Sequence, residues 1–166
     1  MSTTTTEPTK SRQLSAVELQ QTVNEYIKQT RWATLATVRE DGAPVLRVMG
    51  SFAPDGVNVF FSTRRTAAKI RHLAKNPIVN FFFQHENQQL ETFKNVALIG
   101  RAEEVTGGAD YQRAVELLSA RNPRFKARVE RGELTDTALF LIHTAEIKYL
   151  NYANGIGAAA IQEIVL

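Results

Sequence analysis

The sequence predicts a mainly β fold with flanking helices, in which six antiparallel strands close into a barrel. Short apolar segments of strand length dominate the middle of the chain, and tight turns such as Asp41-Gly42 connect the first of them. Such turns join neighbouring antiparallel strands, whereas parallel strands need a crossover helix. A barrel is the economical arrangement because closing a sheet removes its exposed edges.

The composition is that of one folded domain. Of the 166 residues, 43% are hydrophobic and 22% are charged, and no apolar run approaches the roughly 18 residues that a membrane helix needs. The absence of cysteine excludes disulfides, thiol nucleophiles and cysteine-ligated metals. The net charge is only +3, from 20 basic and 17 acidic residues spread along the chain, which argues against a nucleic-acid-binding surface.

The chain divides into a tail and a single domain. Residues 1–13 are polar and predict a disordered tail, and residues 14–166 form the domain. The tail lacks the apolar segment of a signal peptide, so we expect a cytoplasmic protein. Ser15, with Glu18 three residues later, predicts a capped helix that runs to about Gln29.

Three strands are expected after this helix, at residues 32–38, 45–52 and 57–62. Turns containing Asp-Gly separate them, so we expect a meander in which the second and third strands are adjacent.

The second half adds helices and three further strands. Thr66 is expected to cap a helix that ends at Asn76-Pro77. Strands are expected at residues 78–83, 95–105 and 139–150, with a helix at residues 110–119. The first of these strands is dense in apolar residues and should be covered on both faces, and Gly100 marks a bulge or a close backbone approach. Residues 124–136 fit either a helix or a loop, and the apolar C-terminal residues either pack on a partner or fray.

One segment, residues 60–69, carries recognisable chemistry. A strand ends in the hydroxyls of Ser62 and Thr63, two arginines follow, and a helix then begins with Lys69 in its first turn. Free N–H groups at a helix start, hydroxyls and cationic side chains together favour a phosphate. The alternative is a surface helix with solvated charges.

Arg47 points to the same chemistry, since it is charged but lies within an otherwise apolar strand. A buried charge without a partner is costly. A bound phosphate would supply that partner, and an ion pair with a neighbouring strand is the alternative. Dinucleotide-binding and P-loop motifs are absent, and the three histidines, His72, His85 and His143, have no metal-ligand spacing.

Three segments taken in order resemble one known family. LATVREDGAPVLRVMGSF, VNVFFSTRRTAAKIRHLAKNPIVNFFF and NVALIGRAEEV are similar to the pyridoxamine 5′-phosphate oxidase-like, FMN-binding split-barrel proteins. The resemblance covers roughly residues 15–150. It implies a six-stranded split barrel, a homodimer with FMN between the subunits, and an FMN-dependent oxidoreductase acting on a small molecule.

The resemblance also implies which residues bind FMN. Arg47 and Lys69 would contact the phosphate, while Ser62 and Thr63 would contact the phosphate or the ribityl chain. The backbone of residues 47–49 would follow the flavin ring, and Asn95 would reach the flavin from the second subunit. The full implied set is Arg47, Val48, Met49, Ser62, Thr63, Arg64, Thr66, Lys69, Gln84 and Asn95.

The sequence departs from the family in two places. Ala67-Ala68-Lys69 replaces the usual Ser-Arg-Lys, so Arg64 or Arg65 must supply the missing cation. The C-terminal segment after Ile147 lacks the Trp and Arg with which the vitamin B6 oxidases bind flavin and substrate, which argues against oxidation of pyridoxamine phosphate. A flavin-binding sensor without turnover, a haem protein with a histidine ligand, and a deazaflavin protein are the alternatives.

Overall fold

The computed structural model describes residues 12–166, so the predicted tail lies outside the described residues except for its last two. The helices are α1 (Ala16–Gln29), α2 (Ala68–Lys75), α3 (Gly108–Arg121) and α4 (Pro123–Glu130). The strands are β1 (Ala33–Val38), β2 (Pro44–Met49), β3 (Phe52–Asp55), β4 (Asn58–Arg64), β5 (Ile78–Gln84), β6 (Lys94–Glu104), β7 (Thr137–Asn151) and β8 (Ile161–Val165). In this part of the chain, no helix is long and apolar enough to cross a membrane.

The strands form one antiparallel sheet that curls into a split barrel. The order across the sheet is β2-β1-β5-β6-β7-β4-β3, and β8 pairs with β7. Phe52 of β3 packs edge-on against Phe81 and Phe83 of β5, with ring centroids 5.6 and 5.5 Å apart. Strands distant in the sheet order therefore share one core. The predicted mainly β barrel with flanking helices is confirmed, but the described residues contain eight strands, whereas six were expected.

The predicted meander is wrong at its second strand. Residues 45–52 divide at Gly50-Ser51 into β2, which pairs with β1, and β3, which pairs with β4. The chain bends at Ser51, directly after Gly50, where a Cβ atom would lie 2.5 Å from Cζ3 of Trp32. The strand changes partners there, although no Asp-Gly turn marks the position.

The helix starts fit the sequence at α1 but not at α2. Ser15 and Glu18 form the expected capping box. Thr66 does not cap α2, because the amide of Ala67 bonds to the carbonyl of Arg64 (3.0 Å) and closes a turn that contains Thr66. The helix therefore begins one residue later, after Ala67, without a side-chain cap. Residues 124–136, which fitted either a helix or a loop, contain most of α4. Asn122 caps this helix by accepting hydrogen bonds from the amides of Arg124 and Phe125.

The two central strands show how the core is filled. In β5, Val79, Phe81 and Phe83 are buried, whereas the alternate residues are partly buried or exposed, so a single chain covers only one of the two faces. In β6 the pairing with β7 shifts at Gly100. A Cβ at Gly100 would lie 2.2 Å from the carbonyl oxygen of His143, which confirms the expected close approach.

Two hydrophobic clusters stabilise the barrel. The larger fills its interior and includes Phe52, Phe61 and Phe81. The smaller holds α3 and α4 against the outside of β4 and β7, through residues such as Leu118 and Phe125. The C-terminal apolar segment is not frayed, because β8 pairs with β7.

Candidate functional site

A cationic cluster lies where α2 spans the split between β1 and β4. Lys69 and His72 are three residues apart in α2 and so share one face of the helix. The Lys69 ammonium donates to Thr63 Oγ1 at the end of β4 (2.8 Å). The imidazole Nδ1 of His72 lies 2.9 Å from Thr37 Oγ1 on β1. One helix face thus brings two separate strands to a single site.

Arg47 enters this cluster from β2, beside Thr37 and His72. Its guanidinium donates to Thr37 Oγ1 (2.9 Å), and Nη2 lies 3.5 Å from Nδ1 of His72. Because Thr37 accepts from Arg47, its own proton is available to His72, whose Nδ1 is then an acceptor. The geometry therefore fits a neutral His72 and orients the guanidinium.

The cluster has positive charge without a matching negative charge. Within residues 12–166, neither Arg47 nor Lys69 lies within 4.0 Å of a carboxylate. Burial lowers the pKa of Arg47, and burial followed by the charge of Arg47 lowers the pKa of Lys69. Both pKa shifts mean that the charged forms of Arg47 and Lys69 are less favourable here than in water. An anion between the two side chains would stabilise the charged forms.

Two serine hydroxyls extend the site along the split between β1 and β4, which we call the seam of the barrel. Ser51 Oγ and Ser62 Oγ are 2.5 Å apart, and the Ser62 amide donates to the Ser51 carbonyl (3.1 Å). These contacts hold the β2–β3 bend against β4. Hydroxyls can both donate and accept, so they suit a phosphate or a polyhydroxyl chain.

The remaining predicted residues are placed in three ways. Val48 is 69% exposed on the outer face of β2, while the side chain of Met49 is buried in the core. Arg64 and Thr66 are exposed at the rim beyond β4, and the neighbouring Arg65 is engaged with Glu104 (2.7 Å). These placements leave Arg64, and not Arg65, as the further cation at the rim.

Gln84 and Asn95 lie apart from the cluster within this chain. They are opposite each other in the β5–β6 pairing, beyond the Ala33–Phe83 pair of β1 and β5. Arg47 lies opposite Leu35, further along β1. The two polar residues are therefore at the other end of β1 from Arg47.

Sequence reasoning missed the roles of Thr37 and Ser51, and it did not place His72 beside Arg47. A signal for Thr37 exists, since the Asp-Gly hairpin sets it two residues from the partner of Arg47. His85 is used elsewhere, stacked on Tyr26 at 3.7 Å and bonded to the Tyr26 carbonyl. His143 is exposed and bonds to Glu103 (2.9 Å). Of the three histidines, only His72 belongs to the site.

The fold is that of a split-barrel protein, with a cationic cleft where α2 crosses the split. The family model described as pyridoxamine 5′-phosphate oxidase matches residues 19–151. The chain belongs to the pyridoxamine 5′-phosphate oxidase family. None of the curated proteins matches the chain.

Solved structures share this fold at low sequence identity. The conserved hypothetical protein Rv2991 from Mycobacterium tuberculosis has a TM-score of 0.69 at 21% identity, covering 89% of this chain and 91% of that one. General Stress Protein 26 from Bacillus anthracis has a TM-score of 0.66 at 20% identity, covering 89% and 98%. A heme binding protein from Mycobacterium smegmatis has a TM-score of 0.69 at 17% identity, covering 93% and 59%. These likenesses concern the fold alone.

Proposed function

We propose that this protein is an FMN-binding flavoprotein and an oxidoreductase acting on a small molecule. The observation that carries the proposal is the pair of half-buried cations, Arg47 and Lys69, which have no carboxylate partner within residues 12–166. A phosphate monoester dianion between them would be bound by charge-assisted hydrogen bonds. FMN ends in such a group, and family membership favours it over other phosphorylated ligands.

Each element of the seam then has a role. Arg47 and Lys69 hold the phosphate, with Thr63 and Ser62 donating hydroxyl hydrogen bonds to it or to the ribityl chain. Thr37 and His72 position the guanidinium of Arg47. Arg64 and Thr66 bound the phosphate end at the rim. Bound FMN supplies the electron transfer, so the protein's tasks are to bind it, orient it and control access.

The flavin ring would follow the backbone of β2 from Arg47 to Met49. In the described part of the chain, β2 is hydrogen-bonded only to β1. Its outer edge therefore has backbone N–H groups free to donate to a ring heteroatom. The buried side chain of Met49 anchors this end of the strand in the core.

We propose further that two copies of the chain form a dimer across the outer face of β2, β1 and β5. Leu46 and Val48 are 68% and 69% exposed on this face, and Ile78 is 48% exposed. Val48, Thr34 and Phe82 form one continuous row across the three strands. Covering this row with a second copy would bury apolar area. Gln84 and Asn95 would then meet the flavin of the partner subunit.

Haem is the second candidate, since His72 lies beside two cations that could hold propionate groups and one structural neighbour is a heme binding protein. However, Nδ1 of His72 accepts the hydrogen bond from Thr37 in this arrangement, so the ring proton lies on Nε2, the nitrogen that would have to bind iron. We therefore favour the flavin.

The test is the absorption spectrum of freshly purified protein, followed by heat release and identification of the chromophore. The proposal predicts a two-banded yellow spectrum and released FMN. Adding a reduced nicotinamide donor under anaerobic conditions then separates an enzyme from a flavin-binding sensor. A Soret band or a released deazaflavin contradicts the assignment, and so does a colourless protein that takes up no added FMN.

A further inference from the structure

A polar cleft lies between the start of α1 and the end of β7. Its volume is about 420 Å³, which is within the range of small-molecule sites. Thr63 of the cationic cluster pairs with Ala138 of β7, whereas Tyr149, which lines the polar cleft, lies eleven residues further along the same strand. The polar cleft is therefore separate from the cationic cluster.

The hydroxyl of Tyr149 lacks a partner in the wall of this cleft. The residue is only 4% exposed and lies in the core, opposite Val96 of β6 and Gln162 of β8. Its hydroxyl makes no hydrogen bond within residues 12–166, although most buried hydroxyls have a partner. Burial, and then the neighbouring Tyr26, raise the pKa of Tyr149. The phenol therefore stays protonated and can both donate to a ligand and accept from one.

The other side chains of the cleft, apart from Leu14, are polar and carry no net charge. Arg12 and Glu18 are paired at 2.6 Å. The remaining residues are neutral and can each donate and accept hydrogen bonds: Gln21, Thr22, Asn151 and Asn154. The Oδ1 atom of Asn151 accepts from the amide of Ala153 (3.1 Å), which leaves its NH₂ group free to donate. This lining suits a neutral ligand with several hydrogen-bonding groups.

The cleft offers no aromatic face on which a flat ring could stack. The ring of Tyr149 is buried in the core, and none of the other described residues that line the cleft is aromatic. Planar ligands such as nucleobases gain much of their binding free energy from stacking. A compact polyhydroxyl compound instead binds through hydrogen bonds, which are the contacts that this lining supplies.

The walls of the cleft are fixed before any ligand binds. The side-chain amide of Gln162 on β8 accepts from the N–H of Leu14 (3.0 Å) and donates to the Leu14 carbonyl (2.5 Å). Ser15 and Glu18 form the capping box immediately afterwards. The segment before α1 is therefore attached to β8, and a ligand would lose little binding free energy to ordering the site.

We propose that this cleft binds a small neutral polyhydroxyl compound of about six carbons, with its hydroxyls bonded to Tyr149 and to the side-chain amides of Gln21 and Asn154. The bound compound would connect α1 to the end of β7 and would stabilise the folded protein by mass action. The site does not depend on the flavin assignment, because none of its residues belongs to the cationic cluster.

Binding is measured on the native protein by saturation-transfer NMR, with myo-inositol and D-glucose as the probes. Cyclohexanol, which has the ring of myo-inositol but a single hydroxyl, is the matched ligand control. We expect saturable binding of at least one of the two probes, which distinguishes a site from the general exclusion of polyols from protein surfaces. Cyclohexanol should bind at least about tenfold more weakly, because several hydrogen bonds are lost. Binding of neither probe, or equal binding of cyclohexanol, overturns the proposal.

Variants locate the site. Tyr149→Phe removes only a hydroxyl that has no partner within residues 12–166, so the midpoint of chemical denaturation should not fall, while the affinity for the probe should fall about fivefold. Gln21→Ala, at an exposed position of α1, should weaken the probe by a similar factor. Gln20→Ala is the matched control, because Gln20 lies on the same helix but does not line the cleft.

Three results would overturn the assignment of these residues. The first is an unchanged affinity in both Tyr149→Phe and Gln21→Ala. The second is an equal loss in Gln20→Ala, which would place the probe elsewhere on α1. The third is a lower denaturation midpoint in Tyr149→Phe without the probe, which would mean that the hydroxyl is bonded within the protein and is not available to a ligand.

Discussion

The ammonium of Lys69 donates a hydrogen bond to the hydroxyl of Thr63 across 2.8 Å and so joins α2 to the end of β4. This bond uses one of three ammonium donors, and the Thr63 oxygen accepts it, which leaves the hydroxyl proton free. Lys69 and Thr63 therefore present several hydrogen-bond donors and no negative charge toward the seam. Arg47, held by Thr37 on the other side, completes a surface suited to a phosphate.

Replacing Lys69 with Ala should weaken FMN binding by about 1.5–3 kcal/mol, the usual contribution of a charge-assisted hydrogen bond. Riboflavin lacks the phosphate, so it should bind the native protein and the variant equally weakly. Isothermal titration of the two flavins measures both effects. Lys75→Ala is the matched control, because Lys75 lies on the same helix but points to Glu40 (3.7 Å). An equal loss in Lys75→Ala would show that only general charge matters.

Arg47→Lys should weaken FMN less than Arg47→Ala, since the charge remains but the planar fork that bonds to Thr37 is lost. We expect a loss of about tenfold for the alanine variant, again from one charge-assisted contact. Arg39→Ala is the control, because Arg39 is engaged with Asp41 in the exposed hairpin. If both Arg47 variants bind FMN like the native protein, Arg47 does not contact the phosphate.

His72 should report phosphate binding through its protonation. Burial, and then the charges of Arg47 and Arg71, lower its pKa below 6.5. A lowered pKa means that the folded state disfavours protonated His72. The free energy of unfolding is therefore unaffected by His72 above pH 6.5 and decreases as the pH falls from 6.5 toward the pKa of the folded state.

Binding of the FMN phosphate adds negative charge, so FMN should raise the pKa of His72 and riboflavin should not. Proton NMR of the imidazole, assigned with His72→Gln, follows the titration in the free and bound protein. The same pKa with and without FMN would place the phosphate away from His72.

The bulge in β6 should tolerate no side chain at Gly100. A Cβ atom would lie 2.2 Å from the carbonyl oxygen of His143, which is backbone and cannot move aside cheaply. Gly100→Ala is expected to destabilise the protein by about 3 kcal/mol in chemical denaturation, the upper range for overpacking. Gly107→Ala, with nothing within 4 Å of the new atom, should cost no more than about 1 kcal/mol, the loss of a glycine N-cap at α3. Equal stability of the two variants would contradict the β6–β7 register.

The outer face of β2 should control dimerisation. Val48→Asp places a charge in the apolar row, and the lost burial of one valine is worth about 1.5–3 kcal/mol. We expect the dimer dissociation constant, measured by sedimentation analysis, to rise at least about tenfold. Val17→Asp, at a position 66% exposed on α1, should dissociate like the native protein. An unchanged association in Val48→Asp places the interface elsewhere.

The sequence predicted elements with strong local signals. The capping box at Ser15, the end of α2 before Pro77 and the bulge at Gly100 each follow from one or two residues with a specific backbone requirement. The partner exchange at Gly50 could not be predicted this way, because it depends on the indole of Trp32, eighteen positions earlier, packing over that glycine. Tertiary contact overrode a continuous strand pattern.

The sequence likewise predicted some residues of the candidate site and not others. Arg47 and Lys69 could be chosen because a cation in an apolar strand and a cation at a helix start are visible in the sequence. Thr37 could not be chosen by its residue type, since threonine is common in strands, and its only signal is the β1–β2 register set by the Asp-Gly hairpin. His72 acquires its role only when α2 packs across the split, so its spacing from Lys69 was not informative alone.

The most direct test of the central assignment is a comparison of FMN with riboflavin on the cofactor-free native protein by isothermal titration. If Arg47 and Lys69 bind the phosphate, FMN binds at least about tenfold more tightly than riboflavin, and the difference shrinks in Lys69→Ala. Equal affinities for the two flavins would contradict a phosphate site at this seam.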